Sequence, residues 1–250
     1  MKLSQIVTWL DGLLEIDIIE DISLNGLQVG DVNADIQKVA YAVDSGMQIF
    51  EQAAIANAQL LFVHHGLFWG KPLAVTRAHY DRVKFLMEHG IALYAAHLPL
   101  DKHSQLGNNT GIVQALALEE VKPFGTYHGQ EIGWQGQFKD VTNLDAVVKQ
   151  LGLIQEDVVT WDFGVKDILT VAIISGDAPN EVRQAIDAGI DLYITGETSH
   201  ALYHECKEAK INVLFAGHYN TEIFGPRLVA EKISKDLGLE TEFINVPTSL

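Results

Sequence analysis

The sequence predicts an α/β fold made of two repeats, each with a largely parallel sheet covered by helices. Short apolar runs typical of strands alternate with segments of helical spacing, which is the order of βαβ units. The same order then occurs a second time further along the chain. Hydrophobic residues make up 48% of the 250 residues, enough to bury the core of one large domain or two small ones.

The first copy begins with an amphipathic helix that we expect to dock on the core. Six apolar side chains fall on one helical stripe: Leu3, Ile6, Val7, Leu10, Leu13 and Leu14. Polar residues interrupt this segment, so we do not expect it to be a signal peptide. Strands are then predicted at 38–43, 60–63 and 91–96, and helices at 47–56 and 77–88. The strands are continuous apolar runs, as in sheets that are buried on both faces.

The second copy is inferred from matched segments. Three strand segments of the first copy match later ones: 39–43 with 171–175, 60–63 with 192–195, and 93–97 with 214–218. The offset is 132 residues for the first two matches and 121 residues for the third. With the offset of 121 residues, Asp101 corresponds to Glu222. The alternative to duplication is that these segments match only because the buried strands of any α/β protein have similar compositions. The matched histidine and acid after the third strand favour duplication.

A glycine-rich segment joins the two copies. Residues 121–138 contain Gly125, Gly129, Gly133 and Gly136 among aromatic and polar residues. This composition predicts the crossover between the copies together with an antiparallel hairpin.

Composition excludes several classes of protein. The 17 basic residues against 33 acidic ones give a net charge of −16, which disfavours binding to nucleic acid or to anionic lipid. A single cysteine, Cys206, excludes an internal disulfide framework and cysteine-rich zinc motifs. No apolar run reaches the 18 residues or so that a membrane-spanning helix needs. We therefore expect a cytoplasmic protein without a membrane partner.

The first candidate site residues follow the strand at 60–63. His64 and His65 lie at its carboxyl end, where parallel α/β sheets bind their ligands. Adjacent residues on an extended strand point to opposite sides, so two neighbouring histidines can serve two adjacent metal ions. Gly66 allows the chain to turn sharply after them.

The other candidate ligands come from the ends of the third strands. Asp101 follows His97 on what we expect to be a rigid loop, because Pro99 fixes the backbone between them. His218 and Glu222 are one helical turn apart, so both can face the same point. The alternative for Asp101 is a helix cap or a surface residue.

Imidazole and carboxylate donors without a thiolate suit Zn, Mn, Fe, Co or Ni, with Mg as a further option. The predicted ligand set is His64, His65, Asp101, His218 and Glu222. Five ligands exceed one tetrahedral site but fit two ions about 3.5–4 Å apart.

Other polar residues have weaker signals. His200 and His204 are four residues apart on a predicted helix, but Ala201 stands where a zinc protease needs glutamate, so we expect a structural or supporting role. Glu197 occupies in the second copy the place of the histidine pair. It is a candidate for a residue of the pocket wall or for proton transfer, with a helix N-cap as the alternative.

Several motifs in order resemble the GTP cyclohydrolase I type 2 homologue (Nif-three-like) family. They are Asn25-Gly26-Leu27-Gln28-Val29-Gly30, Val63-His64-His65-Gly66, His97-Leu98-Pro99-Leu100-Asp101, Ile194-Thr195-Gly196-Glu197, Gly217-His218 with Thr221-Glu222, and Phe243-Ile244-Asn245-Val246-Pro247. The family's dinuclear metal ligands map onto the five residues named above. The resemblance implies two interlocked α/β repeats with mixed, largely parallel sheets, residues 1–125 plus 220–250 and residues 126–219. It also implies a ring-shaped homohexamer.

The leading hypothesis is a metal-dependent hydrolase, cyclohydrolase-like by resemblance, that acts on a nucleotide or other small polar substrate. Two divalent ions per chain would lower the pKa of a bound water from 15.7 toward about 7, and His97 or Glu197 would carry the proton. The alternative is a metal-loaded binding or scaffold oligomer without turnover. DNA association is the least favoured because of the net charge of −16.

Overall fold

The structure is a computed structural model that describes residues 1–17 and 19–249. It divides into two compact units. Unit 1 consists of Met1–His103 and Gly225–Val246, and unit 2 consists of Ser104–Phe224 with the C-terminal residues from Pro247. Among the described residues, no helix is long and apolar enough to cross a membrane.

Strands and helices alternate through most of the chain, as predicted. The strands are β1 (Gly26–Val29), β2 (Lys38–Asp44), β3 (Leu60–His65), β4 (Ala92–Ala95), β5 (Glu119–Tyr127), β6 (Gln130–Thr142), β7 (Val159–Asp162), β8 (Ile168–Ile173), β9 (Leu192–Thr195), β10 (Asn212–Phe215) and β11 (Glu240–Phe243). The helices are α1 (Leu3–Leu14), α2 (Met47–Ile55), α3 (Arg77–Glu88), α4 (Leu98–Lys102), α5 (Asn108–Ala115), α6 (Leu144–Gln150), α7 (Val182–Asp187), α8 (Tyr203–Ala209), α9 (His218–Glu222) and α10 (Phe224–Leu237).

Unit 1 contains a five-stranded sheet in the order β1-β4-β3-β2-β11. Strands β11, β2, β3 and β4 are parallel, and β1 pairs antiparallel with β4. The helix α1 buries four of the six residues of the predicted apolar stripe completely or nearly so, Leu3, Ile6, Leu10 and Leu14, while Val7 and Leu13 are half-buried. Helices α2 and α3 pack through Phe50 and Leu86 against strand residues such as Leu61.

Unit 2 contains a six-stranded sheet in the order β5-β6-β8-β9-β10-β7. Strands β8, β9 and β10 are parallel, while β6 and β7 pair antiparallel with β8 and β10. Strands β5 and β6 pair antiparallel and form the hairpin that the glycine-rich segment predicts. The core of this unit includes Val147 of α6 and Val171 and Ile194 of the parallel strands.

The two units share one strand arrangement. The order β1-β4-β3-β2 in unit 1 is repeated by β7-β10-β9-β8 in unit 2, with one antiparallel edge strand beside three parallel strands. This agrees with the duplication inferred from the matched segments, and the predicted class of two mixed, largely parallel sheets covered by helices is confirmed. The units differ beyond the third parallel strand, where unit 1 adds the parallel strand β11 and unit 2 adds the hairpin.

Two local predictions need correction. The segment around Asp101 is the short helix α4 rather than a loop. Pro99 is compatible with this helix because it lies in the first turn, where a backbone N–H has no partner within the helix. His200 lies in a 3₁₀ turn and His204 in the following helix α8, so the two are not on one α-helix.

Candidate metal centre

Unit 1 collects its polar candidates at the carboxyl ends of neighbouring parallel strands. β3 ends in His64 and His65, β4 is followed by His97, and α4 carries Asp101. Asp44, the last residue of β2, pairs in register with His65. Because parallel strands end at the same edge of a sheet, this edge concentrates imidazole and carboxylate groups.

His64 is fully buried and is held as a metal ligand would be. Its Nδ1 lies 2.9 Å from the carbonyl oxygen of Ala96. Since a carbonyl only accepts, Nδ1 carries the hydrogen, and Nε2 is the nitrogen with a lone pair in the neutral ring. Nε2 lies 3.5 Å from Oδ2 of Asp101, longer than a hydrogen bond. Two ligands bound at about 2.1 Å to one tetrahedral ion would lie about 3.4 Å apart, so this spacing fits a shared cation.

His65 has the same arrangement with a different acceptor. Its Nδ1 lies 2.8 Å from Oδ1 of Asp44, and its side chain is 18% exposed. A histidine that ligates a metal through one nitrogen usually gives the other N–H to a carboxylate or a carbonyl. Asp44 therefore fixes the ring orientation of a predicted ligand.

His97 is anchored by Asp21 and Asn25. Oδ1 of Asp21 accepts from Nδ1 of His97 at 3.0 Å, and Oδ2 of Asp21 accepts from the backbone N–H of Leu98 at 3.0 Å. The backbone N–H of His97 donates to Oδ1 of Asn25 at 2.8 Å. One ring nitrogen from each of His64, His65 and His97 lies within 4.8 Å of the other two.

The Asp21 carboxyl is charged at neutral pH. Burial on its own would raise its pKa. The hydrogen bond and charge of His97, with further hydrogen bonds from Ser23 and Asn25, outweigh burial and lower the pKa to about 2. Asp21 is thus a permanent acceptor for the His97 ring.

Unit 2 builds its candidate group on helix α9 and the loop after β9. Nε2 of His218 lies 3.0 Å from Oε2 of Glu222, which is 3% exposed. Nδ1 of His218 lies 2.6 Å from Oε1 of Glu197. Glu197 therefore binds the ring of His218. The helix N-cap alternative is wrong, because the N-cap of the 3₁₀ turn at His200–Leu202 is Ser199 and the N-cap of helix α8 is Leu202.

His218 is set up to carry a positive charge in the metal-free chain. Burial on its own would lower its pKa, but the hydrogen bonds and charges of Glu222 and Glu197 outweigh burial and raise the pKa to about 9. At neutral pH a proton therefore lies between His218 and Glu222. A metal ion held by these two side chains would have to displace that proton.

Glycine 176 makes room for the Glu222 carboxylate. It lies just after β8 with φ of +69°, and a Cβ built there would lie 2.3 Å from Oε1 of Glu222. Its backbone N–H donates to Oγ1 of Thr221 at 3.0 Å, which ties the loop to helix α9. The position matches Asp44 of the first copy at the offset of 132 residues. At this matched position the first copy has the carboxylate of Asp44, whereas the second copy has a glycine that leaves space for the carboxylate of Glu222.

The sequence-predicted residues fall into one group in each unit. Unit 1 contains His64, His65, His97 and Asp101, and unit 2 contains Glu197, His218 and Glu222. Sequence reasoning missed the acceptors Asp21 and Asp44 and the contribution of Gly176. One signal for Asp44 was available, because it directly follows the strand predicted at 38–43, beside the strand that leads to the histidine pair. Asp21 had none, since it lies in an irregular segment.

The family Duf34/NIF3 (NGG1p interacting factor 3) matches residues 1–249. The chain belongs to this family. That confirms the resemblance found from the motifs.

Relatives of similar length support the membership. The GTP cyclohydrolase 1 type 2 homolog of Archaeoglobus fulgidus is 40% identical over 250 residues and covers all of both chains. The homolog of the same name from Deinococcus radiodurans is 39% identical, over 98% of this chain and 94% of its own. The crystal structure of TTHA1606 from Thermus thermophilus is 37% identical, with a TM-score of 0.87 over the whole of both chains.

The first prediction concerns Gly176. In Gly176→Ala the methyl group would displace the Glu222 carboxylate, so we expect the affinity for Zn²⁺ to fall by about tenfold or more, as when other supports of a ligand are lost. Gly189→Ala is a matched control, because Gly189 has φ of +67° and open space around its Cβ position. Both variants should lose about 1–2 kcal/mol of stability from backbone strain. Chelator competition measures the affinity, and equal affinities in the two variants would contradict the prediction.

The second prediction concerns the charge of His218. In the metal-free chain we expect its imidazole to titrate near pH 9, and Glu222→Gln to move that pKa down toward the ordinary 6.5. Because the folded pKa is raised, the contacts stabilise the metal-free chain fully below about pH 6.5, and this contribution is lost as the pH rises through about 9. NMR titration of the ring resonances measures both values. A His218 that titrates near 6.5 in the unmodified chain would rule the interpretation out.

Proposed function

We propose that the chain is a metal-dependent hydrolase with a dinuclear centre. The observation that supports this most strongly is the hydrogen bonding of four histidines that lie at or just after the carboxyl ends of parallel strands. In each of them Nδ1 faces an oxygen acceptor, and for two of them Nε2 lies close to a carboxylate oxygen. This is how proteins orient imidazole toward a divalent cation.

The donor set fits such ions in its chemistry. In unit 1, His64, His65 and Asp101 would hold the ions, and in unit 2, His218 and Glu222 would. Nitrogen and oxygen donors suit Zn, Mn, Fe, Co or Ni, and oxygen donors allow Mg. The single thiol, Cys206, is buried in helix α8 and contributes no soft donor to either group.

Bound divalent ions supply a Lewis acid and a water whose pKa is lowered toward about 7. The chain's own residues supply orientation and proton transfer. Asp44 and the Ala96 carbonyl hold the rings of His65 and His64, and Glu197 holds the ring of His218. Glu197 is also 43% exposed, so we assign it the transfer of the proton released on hydrolysis.

The proposed substrate is a nucleotide or another small polar molecule with a carbonyl, amidine or phosphoryl centre. The printed name of the relatives, GTP cyclohydrolase 1 type 2 homolog, supports a nucleotide. The net charge of −16 supports a small substrate over a nucleic-acid polymer.

We further propose a homohexamer in the cytoplasm, which rests on the family resemblance and on the single-cysteine composition. Light scattering on the purified protein would then give six times the chain mass of 27.6 kDa.

The third prediction tests turnover. Purified protein should contain two divalent ions per chain and hydrolyse GTP or another member of a nucleotide panel faster when Mn²⁺ or Zn²⁺ is added. His64→Ala should reduce both metal content and rate, the rate by about a hundredfold or more, while the exposed His89→Ala changes neither. Intact metal binding without turnover on any substrate would favour the alternative, a metal-loaded binding or scaffold oligomer.

A further inference from the structure

We propose that Trp69 recognises the substrate by stacking, and that the substrate carries a flat aromatic ring such as the base of a nucleotide. This inference rests on the proposed function, because it assumes that a small molecule binds at the edge of the unit 1 sheet where β3 and β4 end. It narrows the substrate from any small polar molecule to one with an aromatic ring.

The loop after β3 brings an indole to the candidate metal centre. Leu67 is 5% exposed and belongs to the core of unit 1, and Phe68 packs against the same core. The next residue, Trp69, is half-buried and lies beside two histidines of the sheet edge. Its ring centroid is 5.0 Å from that of His97 and 5.9 Å from that of His65. A partly accessible aromatic surface therefore adjoins the imidazoles.

The position of Trp69 is fixed by its side chain and by its backbone. Its Nε1 donates to the carbonyl oxygen of Gly66 at 2.9 Å. Ser23 forms an antiparallel β-bridge with Trp69, and the backbone N–H of Leu24 donates to the carbonyl of Phe68 at 3.0 Å. Because the indole is already held in place, a ligand that binds it pays less to order it.

The chemistry of the indole points to a flat ring as its ligand. Nε1–H is the only polar group of a tryptophan side chain, and in Trp69 it is bound within the loop. What Trp69 offers a ligand is therefore the aromatic ring itself. Such a surface binds aromatic rings by stacking, and every nucleobase has a face that can stack.

The charges beside Trp69 favour the base of a nucleotide over its phosphate. The rings next to the indole carry carboxylates on Nδ1, Asp21 on His97 and Asp44 on His65. Carboxylates repel a phosphoryl group that approaches the indole, whereas they do not repel an uncharged base. We therefore expect the base of a bound nucleotide to contact Trp69, with its phosphate directed away from these carboxylates.

The alternative is that Trp69 only supports the neighbouring imidazoles. Those rings already have supports of their own, since Asp44 lies 2.8 Å from Nδ1 of His65 and Asp21 lies 3.0 Å from Nδ1 of His97. A purely supporting role predicts that loss of the indole lowers the metal content. Stacking predicts that the metal content stays the same while the affinity for an aromatic ring falls.

The fourth prediction uses guanosine, guanosine monophosphate and ribose phosphate as probes on the purified full chain. Calorimetric titration should give similar affinities for the first two and a much lower affinity for ribose phosphate, which lacks the base. Trp69→Ala should weaken guanosine binding by about tenfold or more. Trp69→Phe should keep most of the affinity because it retains a ring, whereas Trp69→Leu should lose as much as Trp69→Ala.

Tyr80→Ala is the matched control, since Tyr80 is a 49% exposed aromatic residue on helix α3 of the same unit. It should bind guanosine as the unmodified chain does. Elemental analysis should give the same metal content for every variant. If Trp69→Ala fails to fold or loses metal, the comparison of Trp69→Phe with Trp69→Leu decides between stacking and support.

Equal guanosine affinities in Trp69→Phe and Trp69→Leu would overturn the inference. So would a chain that binds ribose phosphate as tightly as guanosine monophosphate, or that does not bind guanosine. Nucleotide hydrolysis with an unchanged KM in Trp69→Ala would also overturn it and leave the proposed function in place. Guanosine binding that depends on Trp69, without turnover of any substrate, would count against the proposed reaction and leave the stacking site in place.

Discussion

The candidate centre depends on one constraint, the oxygen acceptor on Nδ1 of every histidine in it. A carbonyl holds His64, and carboxylates hold His65, His97 and His218. Each acceptor fixes a ring that could otherwise rotate and determines which nitrogen carries the hydrogen. Because the acceptors lie on strand ends and adjoining loops, the fold itself decides where the Nε2 atoms point.

Charge balance follows from that constraint. Asp101 and Glu222 are nearly buried, and buried carboxylates need a nearby positive charge. In unit 2 the metal-free chain supplies this charge by protonating His218, whose pKa rises to about 9. A divalent ion would take over the same role with more charge and fixed geometry. The space that Gly176 leaves for Glu222 shows that the surrounding backbone is shaped around this carboxylate.

Much of this could be predicted from the sequence, because the relevant signals are periodic or repeated. Continuous apolar runs located the parallel strands, and the matched offsets linked Asp101 to Glu222. The remaining features depend on contacts between distant segments. Asp21 reaches His97 across 76 residues, and an acidic residue in an irregular segment has no pattern that identifies its partner. Helix α4 was missed because five residues with a proline in the first turn carry little helical periodicity.

The most direct measurement is X-ray absorption on the zinc-loaded full chain. The central claim is that anchored imidazoles present Nε2 to the cation, so the spectrum should show nitrogen and oxygen neighbours at about 2.0–2.1 Å and the outer-shell scattering of several imidazole rings. A sulfur neighbour at about 2.3 Å, or a hydrated ion without imidazole scattering, would contradict the account.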